Sequence, residues 1–248
     1  MSVTLSESGA IYATNAEAQN GSSTTSSVSP SALSYAKSAP NYIRLTAMTG
    51  TNSTSGTGAA ASVLNNGWNT RAPTSAVGYG IINFFQQFHS RGTNANVTTP
   101  LPWNKRFVAQ FRFIPRTTGT DTNTVNRVCF GKGTGNVGGD ITLRGIEIRQ
   151  VASNALELLV HDGTTLTTVA TSTTVSTSTS VDLRIVSDGA GNVTLFSNDT
   201  QIATTSAGPS TAGSSNNAFY SIESENLATI TGTANTLYVA EMSFEFSN

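Results

Sequence analysis

The chain has 248 residues, 11% of them charged, and a net charge of −1 at neutral pH, so it lacks the basic surface that nucleic acid or anionic lipid would require. One cysteine excludes an internal disulfide, and no apolar stretch is long enough to span a membrane. The length allows one large β domain with an arm, or two small domains, and we expect neither a nucleic-acid partner nor membrane insertion.

Residues 1–40 carry two helix-start signals within a Ser/Thr-rich context. Thr14 is a residue type that caps a helix N-terminus, and Glu17, three positions later, completes a capping box. Gly21 follows at a position where a glycine ends a helix in a left-handed turn. Pro30, directly after a serine, marks a second start, because proline is tolerated at the first helical position. We therefore predict an N-terminal arm with one or two short helices.

This arm resembles the connector of bacteriophage tail fibres, roughly A-T-x-A-E-x-x-x-G, a polar spacer and V-(S/T)-P-x-x-L. Helices of only a couple of turns need a surface on which to pack, and the arm has few apolar residues of its own. The resemblance implies that residues 1–40 dock to other virion proteins or form a homotrimer. The matching positions are Ala13, Thr14, Ala16, Glu17, Gly21, Val28, Pro30 and Leu33, of which Thr14, Glu17, Gly21, Val28, Pro30 and Leu33 are the predicted assembly residues.

The pattern changes after Pro40, which disfavours helix at the residue before it. Residues 41–48 alternate apolar and polar side chains and predict a first strand, followed by a loop to about residue 60. The aromatic and β-branched run 79–88 favours another strand. Further strands are predicted at 107–114, with Phe107, Ala109, Phe111 and Phe113 on one face, at 125–130 with Cys129 buried, and at 141–148 with Gly145 as a bulge or bend.

Turn residues divide the second half of the chain into hairpins. Asp-Gly at 162–163, between two strand-like runs, is a strong hairpin signal, and further turns are predicted at 188–192 and 198–199. A last strand is predicted at 237–246. Many strands with short turns, and no helical pattern after the arm, predict an all-β fold: an antiparallel two-sheet jelly-roll sandwich over residues 41–248.

The late hairpins also carry a resemblance to a known fold family. The runs 181–185, 191–196 and 198–203, with the terminal pattern at 239–244, resemble concanavalin A-like and laminin-G-like lectin domains. The resemblance implies a two-sheet jelly roll. Members of that superfamily bind carbohydrate, cleave it or do neither, so the fold alone does not define a function.

No catalytic set is recognisable. Glucanases of the resembling fold typically carry Glu-x-Asp-x-Glu; the nearest match, Glu223-Ser224-Glu225, is interpreted as a solvated loop or strand edge. Asp140 and Glu147 are separate in the sequence, and His161, before a hairpin turn, is predicted to face solvent. We therefore expect that the protein is not an enzyme. The alternative is a polysaccharide depolymerase that uses Glu223 and Glu225.

No cofactor is expected. One cysteine and two histidines are too few for a Cys/His metal site. Calcium bound by oxygen ligands of Asp121, Asn123, Asn136 and Asp140 is conceivable, although such residues more often form turns. The glycine-rich run 131–135 follows no strand–helix pattern, so a phosphate site is not expected.

Sugar binding requires fewer specialised residues than catalysis or metal binding. An aromatic ring stacks on the apolar face of a pyranose, while amides and charged groups hydrogen-bond its hydroxyls. Trp68 and Trp103 lie in an Asn- and Gly-bearing context typical of loops, where recognition residues are presented. The alternative is that each tryptophan fills one end of the sandwich. The predicted ligand-binding residues are Trp68, Asn69, Arg71, Tyr79, His89, Arg91, Trp103 and Asn104.

These features together predict a virion structural protein, a tail fibre whose lectin-like sandwich binds a host-surface receptor, expected to be a glycan. A capsid-decorating or head-fibre protein of similar fold is the first alternative, and the depolymerase is the second. A virion protein assembled in the host cytoplasm needs no secretory signal, and the N-terminal sequence has no basic region followed by an apolar one.

Overall fold

A computed structural model describes residues 4–5, 11–13, 27–28, 41–44, 51–64, 67–84, 101–117, 123–132, 138–151, 153–213, 220–231 and 234–247. These residues contain strands and no helix, so no helix that could cross a membrane occurs in this part of the chain. In chain order the strands are β1 (Thr4–Leu5), β2 (Ile11–Ala13), β3 (Ser27–Val28), β4 (Asn41–Arg44), β5 (Thr51–Thr54), β6 (Ala60–Leu64), β7 (Gly67–Arg71), β8 (Gly78–Phe84), β9 (Arg106–Thr117), β10 (Thr124–Phe130), β11 (Gly145–Gln150), β12 (Ala155–His161), β13 (Leu166–Thr174), β14 (Val181–Ser187), β15 (Val193–Ser197), β16 (Thr200–Thr205), β17 (Tyr220–Asn226) and β18 (Thr236–Ser247).

Two large antiparallel sheets form the sandwich. The seven-stranded sheet has the order β13-β12-β11-β10-β17-β8-β5. The eight-stranded sheet has the order β16-β15-β14-β9-β18-β7-β6, and β4 pairs with β18 on the same side as β7. The all-β, antiparallel two-sheet jelly-roll sandwich predicted from the sequence is therefore confirmed.

Alternation along the strands creates the core between the sheets. Phe107, Ala109, Phe111 and Phe113 of β9 are all buried, as their period of two predicts. They pack against the inward residues of β10, β11 and β17, including Phe130, which lies 5.3 Å from Phe107 between ring centroids. Apolar burial across the two inner faces supplies the main stabilisation of the fold.

The predicted hairpins are present. The β12–β13 turn contains Gly163 at a φ of 111°, and Asp162 accepts hydrogen bonds from the backbone of Thr164 and Thr165. Asn198 and Asp199, both with positive φ, connect β15 to β16. These residue types suit turns that match the twist of the flanking strands, because their backbones reach the left-handed region at low cost.

Three sequence predictions about local structure need correction. The predicted loop before residue 60 includes a strand, β5, at the edge of the seven-stranded sheet. The strand predicted at 141–148 begins only at Gly145, and Ile141 lies outside it. Gly145 is not a bulge, because its pairing with His161 is regular; a side chain there would overlap the carbonyl oxygen of Phe130.

The predicted arm is described only at β1, β2 and β3, which form a small sheet of their own. Val28 pairs with Ala13 in a parallel register within it. The predicted helices, and the assembly positions Thr14, Glu17, Gly21, Pro30 and Leu33, lie outside the described residues. The buried core residues assigned to the sandwich lie between Trp68 and Phe246.

Candidate functional site

The outer face of the seven-stranded sheet carries an unusual concentration of charge. Side chains that point away from the core alternate with the inward ones, and one row across four neighbouring strands reads Glu157, Arg149, Arg127 and Glu223. The charged network comprises Arg127, Lys132, Asp140, Glu147, Arg149, Glu157, Glu223 and Glu225. These eight residues form the largest group of connected ion pairs among the described residues of a sequence that has 13 basic and 14 acidic residues in total.

A segment after β10 covers this face. Residues 138–144, the covering segment, lie against the outer side of β10, β11 and β17. The backbone amide of Gly139 donates to Glu225 at 3.2 Å, and that of Ile141 donates to Glu147 at 3.0 Å. Ile141 is 1% exposed, so the segment excludes water from what would otherwise be a solvated sheet face.

Arg127 is the centre of the network. Its Nε lies 3.2 Å from both Asp140 and Glu147, and its Nη1 contacts Glu225 and lies 3.7 Å from Glu223. The side chain is only 1% exposed. A buried guanidinium is tolerated because its several N–H donors meet carboxylates; removing partners would leave a charge that water cannot reach.

Lys132 is the second buried cation. It is fully buried, pairs with Glu223 and donates a 2.8 Å hydrogen bond to the carbonyl of Gly139. Burial is the largest single influence and opposes the charged form, but the attraction and hydrogen bond of Glu223, together with a contribution from Cys129, raise the pKa of Lys132 above its ordinary value. Lys132 thus stays charged and ties the covering segment to β17.

Asp140 resolves an electrostatic conflict within the sheet. Arg127 and Arg149 are direct cross-strand neighbours, and two like charges opposite each other destabilise a sheet. Asp140 accepts hydrogen bonds from both, at 3.2 Å from Arg127 and at 2.7 and 2.8 Å from Arg149. Arg149 also makes two hydrogen bonds to Glu157, at 2.7 and 2.9 Å. The two guanidinium groups are therefore fixed in place by carboxylates.

Two buried carboxyls have shifted proton affinities. Burial raises the pKa of Glu147 to about 7, and burial also raises the pKa of Glu223. Cys129, whose Sγ donates to Glu147 at 3.4 Å, is fully buried, and burial holds the pKa of its thiol well above the ordinary value. Cys129 is therefore a thiol of low reactivity in this conformation, as expected for a buried cysteine.

The edge of the network reaches solvent. Side-chain exposure is 30% at Asp140, 21% at Glu157, 19% at Arg149 and 12% at Glu225, and these four residues form the exposed rim. Tyr79 of β8 is half-buried and is the cross-strand neighbour of Glu225. The rim offers fixed hydrogen-bond donors and acceptors beside an aromatic side chain, and sites that bind polar ligands typically contain such groups.

The two predicted tryptophans are core residues. Trp68 is 3% exposed, and its ring lies 5.3 Å from Phe84 and 6.0 Å from Tyr220 of the opposite sheet. Trp103 is fully buried against Phe107 and Phe246. A buried ring presents no face to a sugar, so the predicted stacking role of Trp68 and Trp103 is corrected in favour of packing. Large aromatic side chains bury too much apolar area to be left in solvent when the core can accept them.

The other predicted ligand residues do not form one site. Asn69 and Arg71 alternate with the inward Trp68 on β7, and Arg71 donates to the carbonyl of Gly58 at 2.6 Å. Asn104 is exposed in the turn before β9. Tyr79 lies on the other sheet, next to the charged network. His89 and Arg91 lie outside the described residues.

The predicted calcium option finds little support among the described residues. Asp140 already accepts hydrogen bonds from two guanidinium groups, and the carbonyl of Asn123 accepts from Leu227. No group of three or more His, Cys, Asp or Glu side chains in the described part of the chain is arranged to hold a metal ion. Asp121 and Asn136 are not among the described residues.

Sequence reasoning misplaced several network residues. Glu223 and Glu225 are on a central strand and not at a solvated edge, and Asp140 and Glu147 both contact Arg127. His161, 8% exposed, is not solvent-facing; its Nδ1 accepts from the amide of Gly163. Arg127, Lys132, Arg149 and Glu157 were not predicted at all. The available signal was the concentration of outward-facing charges in adjacent strands of a chain that otherwise has few.

No protein-family model and no curated protein matches the sequence. Similar solved structures include the receptor-binding domain of botulinum neurotoxin D, at 10% identity and a TM-score of 0.48, covering 79% of this chain and 45% of that one. Another is a botulinum neurotoxin type C structure, described in connection with two ganglioside molecules, at 10% identity, a TM-score of 0.46 and coverages of 79% and 43%. A third is alginate lyase AlgAT5 from polysaccharide lyase family 7, at 12% identity, a TM-score of 0.46 and coverages of 74% and 80%.

The present chain spans less than half the length of these neurotoxin chains. At such identities and TM-scores the likeness concerns the general arrangement of strands, and it assigns neither a ligand nor an activity to this protein. Those must be argued from the site itself.

Proposed function

We propose that this protein is the receptor-binding part of a bacteriophage tail fibre and that its sandwich binds a host-surface glycan at the exposed rim. The observation that carries the proposal is the rim itself: Asp140, Arg149, Glu157 and Glu225, each partly exposed, beside the half-buried Tyr79. A glycan offers closely spaced hydroxyls that donate to carboxylates and accept from guanidinium groups.

The rim is organised before any ligand arrives. Arg149 is held by Asp140 on one side and Glu157 on the other, with distances of 2.7 to 2.9 Å. Binding then requires little ordering of side chains, which reduces the entropic cost of association. The free lone pairs of the carboxylates and the ring of Tyr79 remain for the sugar.

Attachment to the virion is assigned to residues 1–40. The support is the connector resemblance at Thr14, Glu17, Gly21, Val28, Pro30 and Leu33. In a homotrimer, three rims would act together, and multivalency would raise the avidity of a weak single site. Gold-labelled antibody on virions tests the location: label on tail fibres is expected, and label on the head would favour a capsid-decorating or head-fibre protein.

We also propose that the protein does not cleave its ligand. Glu147 and Glu223 are fully buried, and Glu223 is paired with Lys132, so neither reaches a substrate in this conformation. Incubation with host polysaccharide is expected to leave the chain length unchanged. Shorter chains that disappear with Glu223→Gln or Glu225→Gln would instead establish a depolymerase.

A glycan array tests binding at the rim. The intact protein, Tyr79→Ala and Arg149→Lys are compared with Arg184→Lys, an arginine on β14 of the other sheet that is paired with Asp199. The expected result is binding by the intact protein and by Arg184→Lys, with loss in both rim variants. Absence of binding by the intact protein, or undiminished binding by both rim variants, would contradict the proposal.

A further inference from the structure

We propose that residues 138–141 form a strap that closes over Arg127 and Lys132 while Glu147 is protonated and opens when Glu147 loses its proton. The inference concerns the regulation of the same sheet face as the proposed glycan site. It does not require that a glycan binds there, and its test uses no ligand.

The strap is held by the network at each of its positions. Gly138 packs against the sheet so closely that a methyl group there would lie 2.8 Å from Glu225 Oε1 and 3.2 Å from Cδ1 of Tyr79. Gly139 accepts from Lys132 and donates to Glu225. Asp140 accepts from both arginines, and the amide of Ile141 donates to Glu147. Glu147 is therefore the carboxyl beneath the last residue of the strap.

The charges of the network do not balance if every group is ionised. Its five carboxyls face three cations, and the central part is buried, where an uncompensated charge is costly. Lys132 donates a hydrogen bond to Glu223, and Arg127 donates one to Glu225. Arg149 donates hydrogen bonds to both Asp140 and Glu157. Glu147 has only the shared Arg127, whose Nε lies 3.2 Å away without hydrogen-bond geometry, so it is the least compensated of the fully buried carboxyls.

The surroundings of Glu147 agree with a bound proton. From β10 it faces Arg127 and Cys129, from β17 Glu223, and from the segment after β10 Lys132 and Asp140. Its contact with Arg127 at 3.2 Å lacks hydrogen-bond geometry, and its Oε1 receives no hydrogen bond within the described part of the chain. Its own strand adds Arg149, which is committed to Asp140 and Glu157. The two groups that donate hydrogen bonds to Glu147, the amide of Ile141 and the thiol of Cys129, are neutral, so an ionised Glu147 would be buried without a hydrogen-bonded cation.

Opening the strap would return Glu147 to water. Burial raises the pKa of Glu147 to about 7 in the closed form, whereas the ordinary value of 4.5 applies once the carboxyl is solvated. By linkage, the closed form is favoured at low pH and the open form gains as the pH rises. From these two values, the opening equilibrium is expected to increase about tenfold between roughly pH 6 and pH 8.5.

Cys129 provides the probe, because it is the chain's single cysteine, is fully buried and contacts Glu147. The full-length protein is labelled with 4,4′-dithiodipyridine at low denaturant concentration, and each rate is divided by that of the urea-unfolded chain at the same pH. A shallow dependence on denaturant distinguishes strap opening from global unfolding. The expected result is an approximately tenfold rise in the normalised rate over the stated pH range.

Two carboxyl variants make the test specific. Glu147→Gln keeps a neutral group of the same shape, so the pH dependence should fall well below tenfold. Asp199→Asn, at an exposed carboxyl of the other sheet that is paired with Arg184, should retain the full change. A normalised rate that is independent of pH in the unmodified protein, or a full tenfold change in Glu147→Gln, would overturn the proposal.

Discussion

Glu147 shows how a single buried carboxyl couples the fold to pH. Its oxygens lie beneath Ile141 and beside Arg127, and its side chain is fully buried. The pKa of Glu147, raised by burial to about 7, means that folding takes up a proton that the unfolded chain releases near 4.5. The stabilising contribution is complete below about pH 4.5 and is lost as the pH rises through 7.

Replacing Glu147 with glutamine should therefore matter most above neutrality. At about pH 8, Glu147→Gln is expected to raise the free energy of unfolding by up to about 3 kcal/mol, the equivalent of the pKa difference. Near pH 4.5 the change should be within about 0.5 kcal/mol. Urea unfolding at the two pH values measures both quantities, with Asp199→Asn, at an exposed carboxyl of the other sheet, as the control. A stability loss at pH 8 would show that ionised Glu147 is a net stabiliser.

Lys132 has the opposite role, because it neutralises a carboxyl that has no access to water. Lys132→Met is expected to lower the free energy of unfolding by about 3–5 kcal/mol, since Glu223 would remain buried without its cation. The double variant Lys132→Met with Glu223→Gln should recover much of that loss, because the unpaired charge is removed with its partner. Denaturant unfolding of the two variants checks this, and equal losses would refute the coupling.

At the scale of single elements, β8 is shaped by the close approach of the two sheets. Gly80 lies opposite the backbone of Ala60 and Arg71 in the eight-stranded sheet, and a methyl group at this position would overlap both carbonyl oxygens. A glycine occupies this position because there is no space for a side chain, and not because the backbone angle requires one. The two sheets can close at this end only because β8 has no Cβ there.

Gly80→Ala is accordingly expected to destabilise the fold by about 3 kcal/mol through overpacking. Gly139→Ala is the control, because it has a φ of 84° but no atom within 4 Å of the added methyl group. Its backbone strain alone should cost about 1 kcal/mol. Thermal unfolding compares the two, and equal losses would indicate that sheet approach does not determine the effect.

The strands were largely predictable because alternation reports which residues share a face. The spacing alone predicts that Phe107, Phe111 and Phe113 share one face of a strand, and all three are buried. Alternation also puts Arg127 on the outer face, but it does not reveal that a later segment covers that face. The cover depends on contacts such as that between Gly139 and Glu225, which are 86 positions apart. A one-dimensional pattern carries no information about such pairs.

The same limit explains the tryptophans. A Trp between Asn and Gly reads as a loop residue, yet Trp68 lies in β7 and faces Phe84 across the core. Local composition describes only the neighbours of Trp68 in the sequence, whereas the burial of its ring depends on residues of the opposite sheet. The sequence therefore predicted the two-sheet sandwich, but it did not reveal that both tryptophans are core residues.

At the scale of the whole molecule, the proposal divides the chain into an assembly arm and a binding sandwich. The buried core residues assigned among the described residues lie at positions 68–246, beyond the arm, so we expect the sandwich to fold without residues 1–40. Light scattering at micromolar concentration is expected to give a trimer for the full chain and a smaller species for the truncated one. A monomer in both cases would contradict the assigned role of the arm.

The central claim is that the charged rim, and not the buried aromatic residues, binds the ligand. The most direct measurement is calorimetric titration of the strongest array ligand into the intact protein, Arg149→Lys and Trp68→Phe, each shown to be folded. The account predicts affinity at least tenfold weaker for Arg149→Lys, because its paired donors to Asp140 and Glu157 are lost, and unchanged affinity for Trp68→Phe. Full affinity in Arg149→Lys together with loss in Trp68→Phe would contradict it.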